Sequence, residues 1–200
     1  MQYIPNQIYH VYNQGNNQQK IFFTDENYLF FLRKVRKHWL PFVDILCYCL
    51  MPNHFHFLLM VNELGCQFTG HQSIKSRRQQ KFSKNAGTLL SSYTIAINRQ
   101  EGRSGSLFRS RLKAKDGWID GFITVDSKEG HRLFRPDNDY AQACFQYIHL
   151  NPVKAGLVNH PTDWAFSSAR DYAGLRNGTL CNKQLALELE LWEHSQSDAF

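Results

Sequence analysis

An apolar run broken by two histidines, Tyr48–Met60, constrains the fold more than any other stretch of this 200-residue chain. The two histidines, His54 and His56, are separated by one large apolar residue, Phe55. Side chains alternate between the two faces of a β-strand, so residues two apart point the same way. We therefore expect His54 and His56 on one face of a sheet, with Phe55 and Phe57 buried on the other. Two imidazoles side by side on rigid backbone form a candidate divalent-metal site, and paired structural histidines are the alternative.

The flanking stretches predict further strands and a helix around this histidine strand. Phe42–Leu50 has the composition of the preceding strand, and Pro52 with the following asparagine forms the turn that makes the two a hairpin. Ile8–Asn13 is rich in aromatic and β-branched residues and predicts another strand. Thr24 can cap a helix whose large apolar residues recur at helical spacing as far as Trp39.

The rest of the chain predicts three more helices, one more strand and two loops. The expected helices are Thr88–Arg99, Asp139 to about Leu150 and Leu185–Trp192; the strand is Phe122–Val125; the loops are a mobile basic one from Asn62 to about Asn85 and a packed surface one at Pro161–Ser168. Pro152 should end the second of these helices, because the residue before a proline avoids the helical region.

Length and composition indicate one compact unit inside the cell. We expect a single domain over residues 1–200, with 116–136 as a candidate insertion and 180–200 as a C-terminal helix and tail. The five cysteines are odd in number and form no Cys-x-x-Cys pair, so we expect reduced thiols. The chain has no apolar run of membrane-spanning length, and its N-terminus has no basic region followed by an apolar segment. We therefore expect a cytoplasmic protein with no membrane partner.

Positive charge is concentrated in one part of the chain. Leu64–Lys115 contains eleven Lys or Arg and one acid, a net of +10, whereas the whole chain is +6 and the remainder is therefore −4. A basic block on a near-neutral body is typical of a protein that binds a polyanion, and a solvated loop that keeps the protein soluble is the alternative.

Within the basic block, Arg103–Lys115 combines five basic residues with one aromatic, Phe108. Basic residues contact phosphates and an aromatic ring can stack on an unpaired base; alternatively, Leu107, Phe108 and Leu112 anchor the segment to the core. The candidate DNA contacts in the block are Lys75, Arg77, Arg78, Lys81, Lys84, Arg103, Arg109, Arg111, Lys113 and Lys115.

Two polar residues of the helix after Asp139 lie on one side of it. Tyr147 and Asn151 are four residues apart, so they share a face about one turn from each other. Taken alone, Tyr147 is a core aromatic and Asn151 a helix end. Beside a metal ion on the histidine pair, a tyrosine hydroxyl could act as a nucleophile on a phosphodiester. His10, a lone histidine in the first strand, is more often a hydrogen-bonded core residue than a ligand, and we assign it no role.

Several sequence blocks, taken in order over most of residues 8–175, resemble the single-tyrosine HUH transposases that act on single-stranded DNA, in particular the REP-associated tyrosine transposases. The blocks are Ile8–Val11 with Asn13–Asn16, Tyr48–Leu59, Gly105–Ala114, Tyr147–Val158 and Trp164–Ser168. The second and fourth are the most specific, because they contain the histidine pair and the Tyr-x-x-x-Asn-Pro sequence.

The resemblance implies a fold, a reaction and a partner. The fold is an α/β (α+β) ferredoxin-like sandwich, with helices packed on an antiparallel sheet. His54, His56 and Asn151 match the residues that bind Mg²⁺ or Mn²⁺, and Tyr147 matches the nucleophile that forms a 5′-phosphotyrosine and leaves a free 3′-OH. The implied partner is single-stranded DNA, with repetitive palindromes folded as hairpins, and the protein would be nucleoid-associated and a monomer or homodimer.

Two departures from the family pattern qualify this resemblance. Gln14 stands where an Arg is common in relatives, which places a basic contact there in doubt. The stretch 116–136 is longer and more polar than expected between the basic segment and the tyrosine helix. Two alternative functions remain: a domesticated DNA-hairpin-binding protein without catalysis, and a metal-dependent phosphoesterase that uses a water nucleophile.

Overall fold

A computed structural model of the chain describes residues 2–69, 78–116 and 139–192, with the side chains of 115, 116 and 139 outside the description. Its strands are β1 (Gln7–Gln14), β2 (Val43–Met51), β3 (His54–Val61) and β4 (Lys113–Asp116). Its helices are α1 (Asp25–His38), α2 (Glu63–Cys66), α3 (Lys81–Gln100), α4 (Asp139–Lys154), α5 (Ala169–Tyr172) and α6 (Lys183–Glu188), with 3₁₀ turns at Asn16–Gln18 and Pro161–Asp163.

The four strands form one antiparallel sheet in the spatial order β2-β3-β1-β4. Along the chain the elements follow β1-α1-β2-β3-α3-β4, the split β-α-β arrangement of ferredoxin-like folds. The expected fold class is therefore confirmed. The two central strands are β1 and β3, so the histidine strand lies in the interior of the sheet.

Helices cover both faces of the sheet. On one face, α1 and α3 bury Phe31, Val35 and Tyr93 against Phe55 and Phe57, and all five side chains are fully enclosed. On the other face, α4 packs on β2 and β3. Because both faces are buried, β2 and β3 are apolar almost throughout instead of alternating with polar residues.

The segment that follows α4 and includes residues 161–176, called here the C-terminal segment, covers the open edge of β2. Leu50 N–H donates to the Phe166 carbonyl at 2.9 Å, and Ser168 N–H donates to the Tyr48 carbonyl at 3.0 Å. Arg176 fixes this cover through an ion pair with Asp171 at 2.7 Å. The expected surface loop at Pro161–Ser168 therefore pairs with the sheet, which shields a strand edge that would otherwise attract other chains.

Several helices differ from the sequence-based expectations. Helix α4 continues through Pro152 to Lys154, because later bonds such as Ala155 N–H to the Asn151 carbonyl (3.0 Å) sustain its last turn. Helix α3 begins at Lys81, so part of the expected basic loop is helical, and α2 also falls in that loop. Helix α6 ends at Glu188 rather than Trp192.

Strand β4 was not predicted, since Lys-Ala-Lys-Asp lacks the apolar residues that mark a strand. The expected strand at Phe122–Val125 and most of the candidate insertion at 116–136 lie outside the described residues.

The five cysteines are all free thiols, as expected for reduced residues. Among the helices that the structure describes, none is both long and apolar enough to cross a lipid bilayer.

Candidate functional site

Strand β3 places the two histidines as the alternation of side chains predicts. His54 and His56 lie on one face with their rings nearly perpendicular and their centroids 5.0 Å apart. Phe55 and Phe57 lie fully buried on the opposite face. His54 opens β3 and pairs with Gln14, the last residue of β1, so the histidine pair sits at one end of the two central strands.

Helix α4 brings Tyr147 and Asn151 onto this histidine face. The centroids of the Tyr147 and His56 rings are 5.7 Å apart. The Asn151 amide donates to the Tyr147 carbonyl at 2.8 Å, and its side chain also interacts with His54 and with the Tyr147 hydroxyl. The four residues that the resemblance singled out therefore meet in one place, although they come from two separate parts of the chain.

Burial sets the protonation of these groups. It lowers the pKa of His54 to about 4, and a hydrogen bond to Asn151, which favours the charged imidazole, opposes this shift. It also lowers the pKa of His56 well below its usual range, with the neighbouring His10 and His54 adding to the effect. Burial also raises the pKa of Tyr147, and the hydrogen bond with Asn151 opposes that rise. At neutral pH the histidines are thus neutral, as metal ligands must be, and the tyrosine is a phenol.

Sequence reasoning assigned no role to His10, yet it contacts the histidine pair. Its Nε2 atom lies 2.8 Å from Nδ1 of His56, and both side chains are buried. The contact depends on the register between β1 and β3, in which Tyr12 lies opposite His56. The ring of Tyr12 stacks on His10 and His56, with centroid distances of 5.0 and 5.6 Å. The spacing of His10 and Tyr12 along one strand face is the only sequence signal for this cluster.

The donor set suits a divalent cation. Nδ1 of His54 lies 2.6 Å from Oδ1 of Asn53, and Nδ1 of His56 is engaged by His10. The atom that each imidazole can offer is therefore Nε2. In the described part of the chain, no three His, Cys, Asp or Glu residues cluster, so the third protein ligand would be the amide oxygen of Asn151. Two imidazole nitrogens and an oxygen fit Mn²⁺ or Mg²⁺.

Three of the candidate DNA contacts converge on the same site. A pocket of about 170 Å³ beside the histidines is lined by Tyr12, Asn13, Gln14, His54, His56, Arg109, Arg111 and Lys113. Lys113 Nζ lies 5.7 Å from the centre of the Tyr12 ring. Gln14 carries no charge. Its carbonyl accepts a hydrogen bond from the backbone N–H of Arg109 at 2.9 Å, so the segment that contains Arg109 places an arginine next to Gln14. Phe108 is buried in the core, so it anchors this segment rather than offering a surface for base stacking.

The other candidate contacts lie elsewhere. Arg78 stacks on Phe68, and Lys81 donates to Gln67 at 2.8 Å. Lys81 and Lys84 lie at the start of α3. Gln80, the residue just before α3, is hydrogen-bonded to Tyr3, which precedes β1. This end of the sheet is opposite the histidine pair. Arg103 follows α3, where its N–H donates to the Asn98 carbonyl at 2.9 Å. Lys75, Arg77 and the side chain of Lys115 lie outside the described residues.

Comparisons with known proteins bear on the relatives and the fold of the chain. No protein-family model matches the chain. A Haemophilus influenzae (strain Rd) protein with the provisional name REP-associated tyrosine transposase is 30% identical over an alignment of 139 positions that covers 64% of this chain. The chain spans 59% of the length of that curated relative.

A solved structure, described as a REP-associated tyrosine transposase bound to a REP hairpin, superposes with a TM-score of 0.55. The match covers 88% of this chain and 86% of that one at 20% sequence identity, so it bears on the fold. The chain is thus similar to REP-associated tyrosine transposases, in sequence over part of its length and in fold over most of it.

Proposed function

We propose that the protein is a sequence-specific endonuclease and strand transferase of single-stranded DNA, acting on hairpins through a 5′-phosphotyrosine at Tyr147. The observation that carries this proposal is the placement of Tyr147 and Asn151 on the face of the sheet that bears His54 and His56. A nucleophile, a pair of neutral imidazoles and an amide that contacts both are the parts such a reaction needs.

In the proposed reaction, Tyr147 Oη forms a bond to the phosphorus of the scissile phosphodiester as the bond to the 3′-oxygen breaks. The phenol loses its proton, and the departing 3′-oxygen gains one and leaves as a hydroxyl. The phosphotyrosine keeps the phosphoester energy, so a 3′-OH can later attack it and rejoin the strand.

The surrounding residues assist in distinct ways. Asn151 orients Tyr147 and, through its hydrogen bond, favours the phenolate that develops. Lys154 Nζ, 5.1 Å from the centre of the Tyr147 ring, adds a positive charge next to the same group. Mg²⁺ or Mn²⁺ held by His54, His56 and Asn151 would supply a Lewis acid for the phosphoryl oxygens.

DNA is the proposed partner because of charge and similarity together. Arg109, Arg111 and Lys113 line the pocket beside the histidines, where phosphates would lie. The structural neighbour is bound to a REP hairpin, so we infer a repetitive palindromic hairpin for this chain too. The protein would then act at the nucleoid, as a monomer or homodimer.

The test is a denaturing gel of the protein with labelled single-stranded hairpins from its own genome and Mg²⁺ or Mn²⁺. We expect a protein–DNA band that survives denaturation, is lost in Tyr147→Phe and is still formed by Tyr12→Phe, the matched change at the other tyrosine beside His56. DNA binding without that band would indicate a non-catalytic hairpin-binding protein. Cleavage that persists in Tyr147→Phe would indicate a phosphoesterase with a water nucleophile.

A further inference from the structure

Both histidines of the pair have a neighbour on Nδ1. Asn53 lies 2.6 Å from Nδ1 of His54, and His10 lies 2.8 Å from Nδ1 of His56. The asparagine comes from the turn before β3, whereas His10 comes from the neighbouring strand. A partner on one nitrogen of a ligating histidine fixes the ring orientation and decides which nitrogen carries the proton.

The contact between His10 and His56 leaves two choices for the proton. If His56 donates from Nδ1, its Nε2 is unprotonated and has a lone pair for a cation. If His10 donates from Nε2, the proton of a neutral His56 is on Nε2 and blocks that atom. A metal bound at Nε2 of His56 therefore requires His10 to accept, with its own proton on Nδ1.

We propose that His10 is a positioning residue that accepts a hydrogen bond from Nδ1 of His56 and so keeps Nε2 of His56 free to bind the divalent cation. This inference rests on the proposed function, because it assigns the role of one residue in the same site. His10 does not touch the cation or the DNA in this account and acts only through His56.

The surroundings of His10 hold it in place for this role. It lies on β1, a central strand, and 8% of its surface is exposed. Its ring lies roughly parallel to the rings of Tyr12 and His56, each with a centroid distance of 5.0 Å, and meets Tyr147 edge-on at 6.2 Å. These contacts restrict rotation of the imidazole, so Nε2 stays directed at His56.

Three substitutions separate this role from simple packing. His10→Phe keeps a ring of similar size and removes the acceptor. His10→Gln places an amide oxygen near the position of Nε2 and can still accept. His10→Asn is shorter and places its amide near the position of Nδ1, out of reach. His149→Gln is the control, because His149 is another buried histidine whose side chain bonds to Ser168 at 2.7 Å and packs on Phe145 and Tyr172 instead of on the histidine pair.

The first measurement is the long-range ¹H–¹⁵N spectrum of the metal-free protein at neutral pH, which reports which nitrogen of each histidine carries the proton. We expect His56 protonated on Nδ1 in the wild type and in His10→Gln. The second is calorimetry of Mn²⁺ binding without DNA. Affinity should fall about 10- to 100-fold in His10→Phe and His10→Asn and stay within a few-fold of wild type in His10→Gln and His149→Gln.

Either of two results would overturn the inference: a wild-type His56 protonated on Nε2, or wild-type Mn²⁺ affinity in a folded His10→Phe protein. If that variant does not fold, equal affinities of His10→Gln and His10→Asn would overturn it instead. If the wild-type protein forms the Tyr147 adduct but one of these overturning results is observed, only the role of His10 is rejected. Absence of the adduct in wild type rejects the proposed function, whatever the histidine spectrum shows.

Discussion

At the scale of single residues, Asn151 connects the candidate nucleophile to the histidine pair. It donates to the Tyr147 carbonyl at 2.8 Å, and its side chain interacts with His54 and with the Tyr147 hydroxyl. Since the hydrogen bond to the hydroxyl opposes the rise that burial causes in the pKa of Tyr147, its loss should make the phenolate harder to form.

Asn151→Ala should therefore slow adduct formation and move its alkaline rise to higher pH. A single net hydrogen bond is worth about 1 kcal/mol, so the rate at neutral pH should fall roughly fivefold or more. Single-turnover rates across a pH series, with saturating metal to offset a lost ligand, measure both effects. A slower reaction whose pH profile does not move would indicate that Asn151 serves the metal alone.

His149 makes a second residue-scale prediction, about stability. Burial lowers its pKa from 6.5 to about 3, so the unfolded chain binds an extra proton between those values. The stability due to its neutral burial is complete above pH 6.5 and is lost as pH falls towards 3. Between pH 7 and 5 this residue alone should cost about 2 kcal/mol.

Urea unfolding at pH 7 and pH 5 measures this loss. In His149→Gln the difference between the two pH values should shrink by about 2 kcal/mol, and His160→Gln, the same change at an exposed side chain, is the control. Equal pH dependence in wild type and His149→Gln would contradict the account.

The sequence was sufficient for some of these residues and insufficient for others. The faces of His54 and His56 follow from alternation along one strand, and the shared face of Tyr147 and Asn151 follows from helical spacing. Only the family resemblance predicted that these two pairs of residues meet. His10 was missed because its contact depends on the β1–β3 register, which brings together residues far apart in sequence.

At the scale of elements, the C-terminal segment is held on the edge of β2 by Arg176. Its guanidinium donates to both Asp171 oxygens, to the Ser167 carbonyl and to the Tyr48 hydroxyl, at 2.6 to 3.0 Å. The Asp171 side chain is 3% exposed, so its charge has little contact with water.

Arg176→Ala should destabilise the fold by about 2–3 kcal/mol, because it leaves a buried carboxylate without its cation. Chemical denaturation measures the loss. Arg170→Ala removes one bond of 3.3 Å to the Thr162 carbonyl and should cost under about 1 kcal/mol. Similar losses in the two variants would show that the ion pair is not what secures this edge.

The boundaries of helices and strands were predicted where they depend on residues close together in the sequence. Helix α1 starts where Thr24 indicated, with Thr24 N–H donating to Asn27 Oδ1 at 3.2 Å. Helix α3 begins earlier than expected because Phe82 and Ala86, buried against the core, lie in a stretch that its polar neighbours made look like a loop. Strand β4 exists because its backbone pairs with β1, which the composition of Lys113–Asp116 does not reveal.

At the scale of the whole molecule, the basic block is divided between two ends of the sheet. Arg109, Arg111 and Lys113 lie beside the histidines, whereas Arg78, Lys81 and Lys84 lie near the start of β1. The eight residues of β1 separate the two groups by about 25 Å. The sequence predicted one basic surface, because closeness along the chain does not reveal how α3 spans the sheet.

Two triple alanine variants with equal loss of charge test this division. Replacing Arg109, Arg111 and Lys113 should reduce the slope of log affinity against log salt concentration by about 2 for any single strand. Replacing Arg78, Lys81 and Lys84 should leave a short single strand unaffected and weaken only a long hairpin that reaches the far end. Affinity measured at several salt concentrations decides this, and equal effects of both variants on the short strand would contradict the division.

The measurement that tests the central claim most directly is to identify the amino acid joined to DNA. The covalent complex would be digested with nuclease and trypsin, and the peptide that retains a nucleotide phosphate identified by mass spectrometry. The account predicts the peptide that contains Tyr147, with the phosphate on that tyrosine. A phosphate on Tyr12, whose ring centroid is 5.6 Å from that of His56, would contradict the account, because the nucleophile would then be Tyr12 and not Tyr147.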